Sequence, residues 1–165
     1  MRRGRRLAID VGDARVGVAH SDPDGILATP VATIARAGMT DHALAGQIVQ
    51  IADDDGAIEI IVGHPVHLSG AAGAAAGKAQ AFAQVLAGRW HGGVRLVDER
   101  LTTVEAKGHL RGAGRDERSG RAVIDQVAAV LILQSALDRE RSTGELPGEP
   151  VTLQSPGARD KEGDA

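Results

Sequence analysis

The chain has 165 residues, 42% of them hydrophobic, a length and composition that suit one domain around one core. It carries a formal net charge of -3, no cysteine, and only Phe82 and Trp90 as Phe, Tyr or Trp rings. Disulfides, thiolate chemistry and cysteine-ligated zinc are thereby excluded, and stacking of bases on aromatic rings cannot be a major binding device.

Arg2, Arg3, Arg5 and Arg6 open the chain as a signal peptide would, but Asp10, Gly12 and Asp13 break the apolar run that such a signal needs. The longest strongly apolar run, Val127 to Leu133, is far short of the roughly 20 residues that span a bilayer. A soluble, cytoplasmic protein without a membrane partner is expected.

Arg6 to Val11 reads as a short buried strand, Gly12-Asp13 as a tight turn, and Arg15 to His20 as a second strand that alternates Val16 and Val18 with Gly17 and Ala19. The turn cluster Ser21 to Gly25 leads to a third strand, Ile26 to Ile34, in which Pro30 marks an edge or bulge position. Asp41 can cap a helix from His42 to Ala52, with Leu44, Ile48 and Ile51 at helical spacing. Ile58 to Val62 is a fully apolar strand, Ala75 to Ala87 a helix, and Val94 to Val97 another buried strand. Thr102 or Thr103 can cap a helix through Leu110, and Ser119 one from Arg121 to Arg139. The order is three strands, then alternating helices and strands around a five-stranded mixed sheet, closed by two helices. Beyond Arg141, Gly, Pro, Ser and charge replace apolar periodicity, so residues 1–141 are expected to form the domain and residues 142–165 a disordered tail.

Three acids stand where apolar residues or turns would be ordinary: Asp10 within Leu7-Ala8-Ile9-Asp10-Val11, Glu99 after Val94 to Asp98, and Asp125 within Val123-Ile124-Asp125-Gln126-Val127. An unpaired carboxylate on a buried helix costs several kcal/mol, so Asp125 needs a cation, a basic partner or an early-turn position; Arg118 and Arg121 are near in sequence. Hard oxygen donors from three separated positions suit Mg²⁺ or Mn²⁺. Two such ions about 4 Å apart activate water and stabilise the leaving oxygen in phosphodiester hydrolysis. In that arrangement Asp10 bridges the metals, and Glu99 and Asp125 complete separate coordination spheres. Each acid alone also reads as a cap, a turn residue or half of an ion pair, and Asp98 competes with Glu99 for the middle position.

The segment Asp10-Val11-Gly12-Asp13-Ala14-Arg15-Val16-Gly17-Val18-Ala19, with Ser21-Asp22-Pro23, resembles the opening of the YqgF/RuvX family of Holliday-junction resolvases and pre-ribosomal-RNA nucleases. Val62-Gly63-His64-Pro65 with Gly70, Asp98-Glu99-Arg100-Leu101-Thr102-Thr103, and Ile124 to Ala129 with Ile132-Leu133-Gln134 resemble three further family blocks in the same order. The match spans nearly all of residues 5 to 139. It departs at His64, His67 and Ser69, where Leu, Asn and Asp are common in the family.

The resemblance implies a ribonuclease-H-like α/β fold and Asp10, Glu99 and Asp125 as the catalytic and metal-binding triad. It implies an endonuclease using Mg²⁺ or Mn²⁺ on structured nucleic acid, either pre-16S ribosomal RNA, in which ribosomal precursor particles are partners, or branched DNA, for which two symmetric cuts call for a homodimer. The alternative is a non-catalytic ribosome-assembly or nucleic-acid-binding module with the same fold. Arg15, Arg100, Lys107, Arg111 and Arg115 are candidate phosphate contacts, as is the Arg2 to Arg6 cluster; each basic run also reads as a solvated face. His64 and His67 lack a clear third partner for zinc, and a sugar-kinase-like reading of the Gly12–Gly17 hairpin needs a second lobe that this length does not supply.

Overall fold

The structure, a computed structural model, describes residues 1–64, 71–99 and 117–153. Strands β1 (Arg6–Val11), β2 (Arg15–Ser21) and β3 (Ala28–Ala35) are followed by helix α1 (Asp41–Asp55), strand β4 (Glu59–His64), helix α2 (Ala71–Arg89), strand β5 (Gly93–Asp98), helix α3 (Glu117–Thr143) and strand β6 (Glu149–Pro150). One sheet runs β3-β2-β1-β4-β5-β6. β1 is parallel to β4 and β4 to β5; the remaining pairs are antiparallel.

Side-chain alternation divides the core into two layers. Leu7 and Ile9 of β1, Val16 and Val18 of β2, and Ile60 and Val62 of β4 face one way, onto Leu44 and Ile48 of α1 and Phe82 and Leu86 of α2. Each of these buried apolar side chains contributes roughly 1.5–3 kcal/mol relative to exposure. The opposite layer is built from smaller groups: Ala8, Ala19, Ala28, Ile61 and Val97 of the sheet meet Ala129, Ile132, Leu133, Ala136 and Leu137 of α3. Small side chains let α3 approach the sheet closely, and that closeness positions the site.

Local boundaries differ from expectation for identifiable reasons. Thr40, not Asp41, caps α1: its side-chain oxygen accepts from the Ala43 amide, while Asp41 sits in the first turn and takes Arg36 at 2.8 Å. The helix ends on Gly56 at φ 64°, a left-handed position that glycine adopts without strain. Pro30 does lie on the edge strand, beside an irregularity where Val18 pairs with Ala32 and Ala19 with Pro30, passing over Val31. α3 begins at Glu117, so Ser119 lies inside the helix rather than at its cap. The helix expected from Thr102 or Thr103 to Leu110 lies outside the described residues.

The sheet has a sixth strand where a disordered tail was expected to begin. β6 pairs with β5, Val151 donates its amide to the Val94 carbonyl at 2.8 Å, and the Arg95 guanidinium donates to the Gly148 carbonyl at 3.0 Å. Two residues of strand carry no hydrophobic signature, so composition alone does not reveal them.

Arg2 and Arg6 differ from the phosphate-binding reading. Arg2 donates to Glu59 at 3.0 and 3.1 Å and to Glu140 at 3.0 Å, and Arg6, fully buried, reaches Glu140 at 3.2 Å. These contacts fasten the far end of α3 to the starts of β1 and β4. Burial pushes the Glu140 carboxyl up, but hydrogen bonds and charge from Arg2, with charge from Arg6, outweigh it and hold the group below its ordinary value. Its contribution to stability is therefore complete above the unfolded-state value of about 4.3 and is lost as pH falls through the lower folded value. Glu140→Gln should cost about 2 kcal/mol at pH 7, with a smaller penalty in acid, as measured by urea unfolding across pH.

Candidate functional site

Asp10 is the second-last residue of β1, and its register partners are Gly17 on β2 and Gly63 on β4. From β1 the chain builds outward through β2 and β3; from β4 it builds the other way through β5. Asp10 therefore lies at the switch point of the sheet, by the carboxyl ends of its parallel strands, where ligands bind in open α/β sheets. Two residues on from Ala8, it projects toward α3.

Both flanking glycines are required by close approach. A Cβ on Gly17 would stand 1.9 Å from the Asp125 carbonyl oxygen, so the α3 backbone crosses β2 at that residue. A Cβ on Gly63 would stand 2.4 Å from Ile132 Cδ1 and 3.4 Å from Glu99 Cγ. Cross-strand neighbours lie about 4.5–5.5 Å apart, so Asp10 sits between the Asp125 turn of α3 on one side and the Glu99 side chain on the other. Alternation separates Glu99 from its neighbour: Val97 packs against α3, Asp98 pairs in register with His64, and Glu99 returns to the α3 side over Gly63.

Asp125 is two turns into α3, beyond the reach of a helix-start dipole, which removes the early-turn explanation. Its partner is Arg15, whose Nε donates to Oδ2 at 2.7 Å; the side chains are 33% and 25% exposed. Arg15 begins β2, two residues before Gly17 and on the same face, so its guanidinium lies at the rim of the Asp10 cradle. Asp10 and Glu99 also have polar partners of their own. As the side chains stand, no group of three or more His, Asp or Glu residues is arranged to hold a metal ion among the described residues.

Other acids near the hairpin are structural. Asp22 accepts from the amides of Leu27 at 2.7 Å, Ile26 at 2.8 Å and Asp24 at 3.0 Å, and these bonds, that from Leu27 foremost, hold its carboxyl below the ordinary value. Asp13 takes Lys78 of α2 at 2.7 Å, which lowers it likewise. Arg100, Lys107, Arg111 and Arg115 lie outside the described residues, as does His67. Sequence reasoning overlooked the roles of Gly17 and Gly63; the available signal was a glycine in each of two strands bordering the one that carries an embedded acid.

Comparison with known proteins agrees with this architecture. The chain is 56% identical over 154 residues to a protein of Nocardioides sp. named as a pre-16S rRNA nuclease, covering 92% of this chain and 98% of the relative. Identically named relatives from Thermobifida fusca and Streptomyces coelicolor are 55% and 54% identical, over 92% and 93% of this chain and 98% and 91% of theirs. Among solved structures, Thermus thermophilus RuvC in complex with a Holliday junction substrate superposes with a TM-score of 0.57 at 12% identity, over 89% of this chain and 99% of that one. A second Thermus thermophilus RuvC structure gives 0.53 at 13%, over 88% and 99%. The fold is ribonuclease-H-like, with β6 as an added edge strand. The family model described as RuvX, Holliday junction resolvase, matches residues 4–139, and the chain belongs to that family.

Proposed function

We propose that this protein is a divalent-metal-dependent endonuclease that hydrolyses phosphodiester bonds in structured nucleic acid, with Asp10, Glu99 and Asp125 as its acidic centre. The carrying observation is the placement of Asp10 at the sheet's switch point, between two glycines that admit Asp125 from one side and Glu99 from the other. The donor set suits a hard cation: carboxylate oxygens around a cradle that a Cβ at Gly17 or Gly63 would fill. Asp10, Glu99 and Asp125 would hold Mg²⁺ or Mn²⁺. Such an ion, when bound, supplies activation of water and neutralisation of charge at the scissile phosphate. Asp10 anchors the centre on the rigid sheet, and α3 brings Asp125 to it. Arg15 offers the phosphate a planar cationic fork at the rim.

Relatives named as pre-16S rRNA nucleases, identical at more than half of aligned positions, favour precursor ribosomal RNA as substrate; such a substrate would be met in the cytoplasm on ribosomal precursor particles. Resolution of a DNA junction, which the family description names, would call for a homodimer placing two centres symmetrically. The competing reading, a binding module without turnover, draws on the Arg15–Asp125 ion pair, which occupies one of the three acids. Purified protein should be incubated with a precursor 16S RNA fragment, a four-way DNA junction and linear duplex DNA, with Mg²⁺ or with chelator. Cleavage of RNA or junction only with Mg²⁺ supports the nuclease; binding without cleavage of any substrate supports the module.

A further inference from the structure

We propose that Arg15 is an exchangeable latch on Asp125: it holds that carboxylate away from the centre until a divalent cation takes the carboxylate and a nucleic-acid phosphate takes the guanidinium. This rests on the reading of Asp10, Glu99 and Asp125 as a metal centre. The bond is short and directed, 2.7 Å from Nε to Oδ2, and joins residues 110 apart in sequence. It closes across the place where α3 meets β2 over Gly17, beside Asp10. As the latch stands, no acidic group of three is arranged to hold a metal among the described residues. Both side chains are partly open to solvent, so the pair can exchange without leaving a charge stranded in the core.

A structural brace between β2 and α3 would not need an ion pair here. Gly17 under the Asp125 carbonyl and the Ala19–Ala129 layer already seat the helix on the sheet. An arginine at the rim instead competes with a cation for the same carboxylate oxygens. Once displaced, its guanidinium presents adjacent donors to a phosphate. Release of Asp125 by phosphate favours the cation, and uptake of the cation frees Arg15 for phosphate, so binding of either ligand strengthens binding of the other by the same factor. Arg15 thereby acts as a positioning residue: it delays assembly of the centre until nucleic acid arrives.

The test is calorimetric titration of Mn²⁺ into the metal-free full chain, comparing wild type, Arg15→Met, Asp125→Asn and the double variant. Arg15→Met should bind Mn²⁺ about 5- to 10-fold more tightly, because the competitor has gone. In the Asp125→Asn background the same substitution should change affinity little, because no latch remains to release. A tightening of equal size in both backgrounds reflects removal of a positive charge alone and overturns the latch, as does an unchanged or weakened affinity in Arg15→Met. Asp125→Asn by itself should weaken Mn²⁺ binding at least about tenfold. If it does not, the metal-centre reading fails first and the latch with it. Should Arg15→Met fail to fold, Arg15→Lys carries the test, since it keeps the charge and loses the guanidinium geometry; it should tighten binding by a smaller factor, and no tightening overturns the proposal.

Discussion

Gly17→Ala should destabilise the protein by more than the roughly 1–3 kcal/mol typical of overpacking and should abolish nuclease activity. The added methyl would stand 1.9 Å from the Asp125 carbonyl oxygen, 2.4 Å from its carbonyl carbon and 3.1 Å from the Gln126 nitrogen. All three are backbone atoms of one helix, so no side-chain rotation relieves the clash. α3 must lift from β2, which disturbs the layer of Ala129, Ile132 and Leu133 and carries Asp125 away from Asp10. Gly63→Ala should be milder, because its closest contact is the end of the Ile132 side chain, which can turn aside. Gly77→Ala, with nothing within 4 Å and a place inside α2, should stabilise by about 0.5–1 kcal/mol. Urea unfolding of the three variants checks the order: Gly17→Ala least stable, then Gly63→Ala, with Gly77→Ala above wild type.

Asp10→Asn should reduce cleavage on the order of 10²–10³-fold or more while leaving the unfolding midpoint unchanged or higher. The amide fills the same space between Gly17 and Gly63, so packing is preserved. What is lost is the negative charge of the acid proposed to anchor the centre, and with it the electrostatic stabilisation that a bound cation would give the reacting phosphate. Activity and stability are thus expected to move independently, unlike the outcome at Gly17, where they fall together. Initial rates on precursor RNA and thermal melts of the same preparations separate the two cases.

Asp10 was legible in the sequence because a period of two is local. Leu7 and Ile9 mark one face of β1, and the acid then falls with Ala8 on the other. Asp98 and Glu99 were not separable from composition, since the choice depends on which face each meets after the strand ends. In the sheet Asp98 pairs in register with His64, while Glu99 lies over Gly63 on the α3 side, and that placement supports Glu99 as the proposed ligand. The partner of Asp125 was less legible still. Arg118 and Arg121 were nearest in sequence, whereas Arg15, 110 residues away, arrives only because α3 crosses the first hairpin. The same long-range packing explains Gly17, which reads as an unremarkable strand residue until a helix is laid across it. It also explains Arg2 and Arg6, whose acidic partners are brought in by β4 and by the far end of α3. Periodicity reports faces and boundaries; it carries no information on which faces later meet.

Three acids, from β1, the end of β5 and α3, are proposed to form one metal centre. A crystal of the full chain soaked in Mn²⁺, with a nucleic-acid fragment bound, tests it by anomalous scattering. A peak is expected within coordination distance, about 2.0–2.2 Å, of carboxylate oxygens from Asp10, Glu99 and Asp125. A peak elsewhere, or none at Mn²⁺ concentrations that support cleavage, would contradict it.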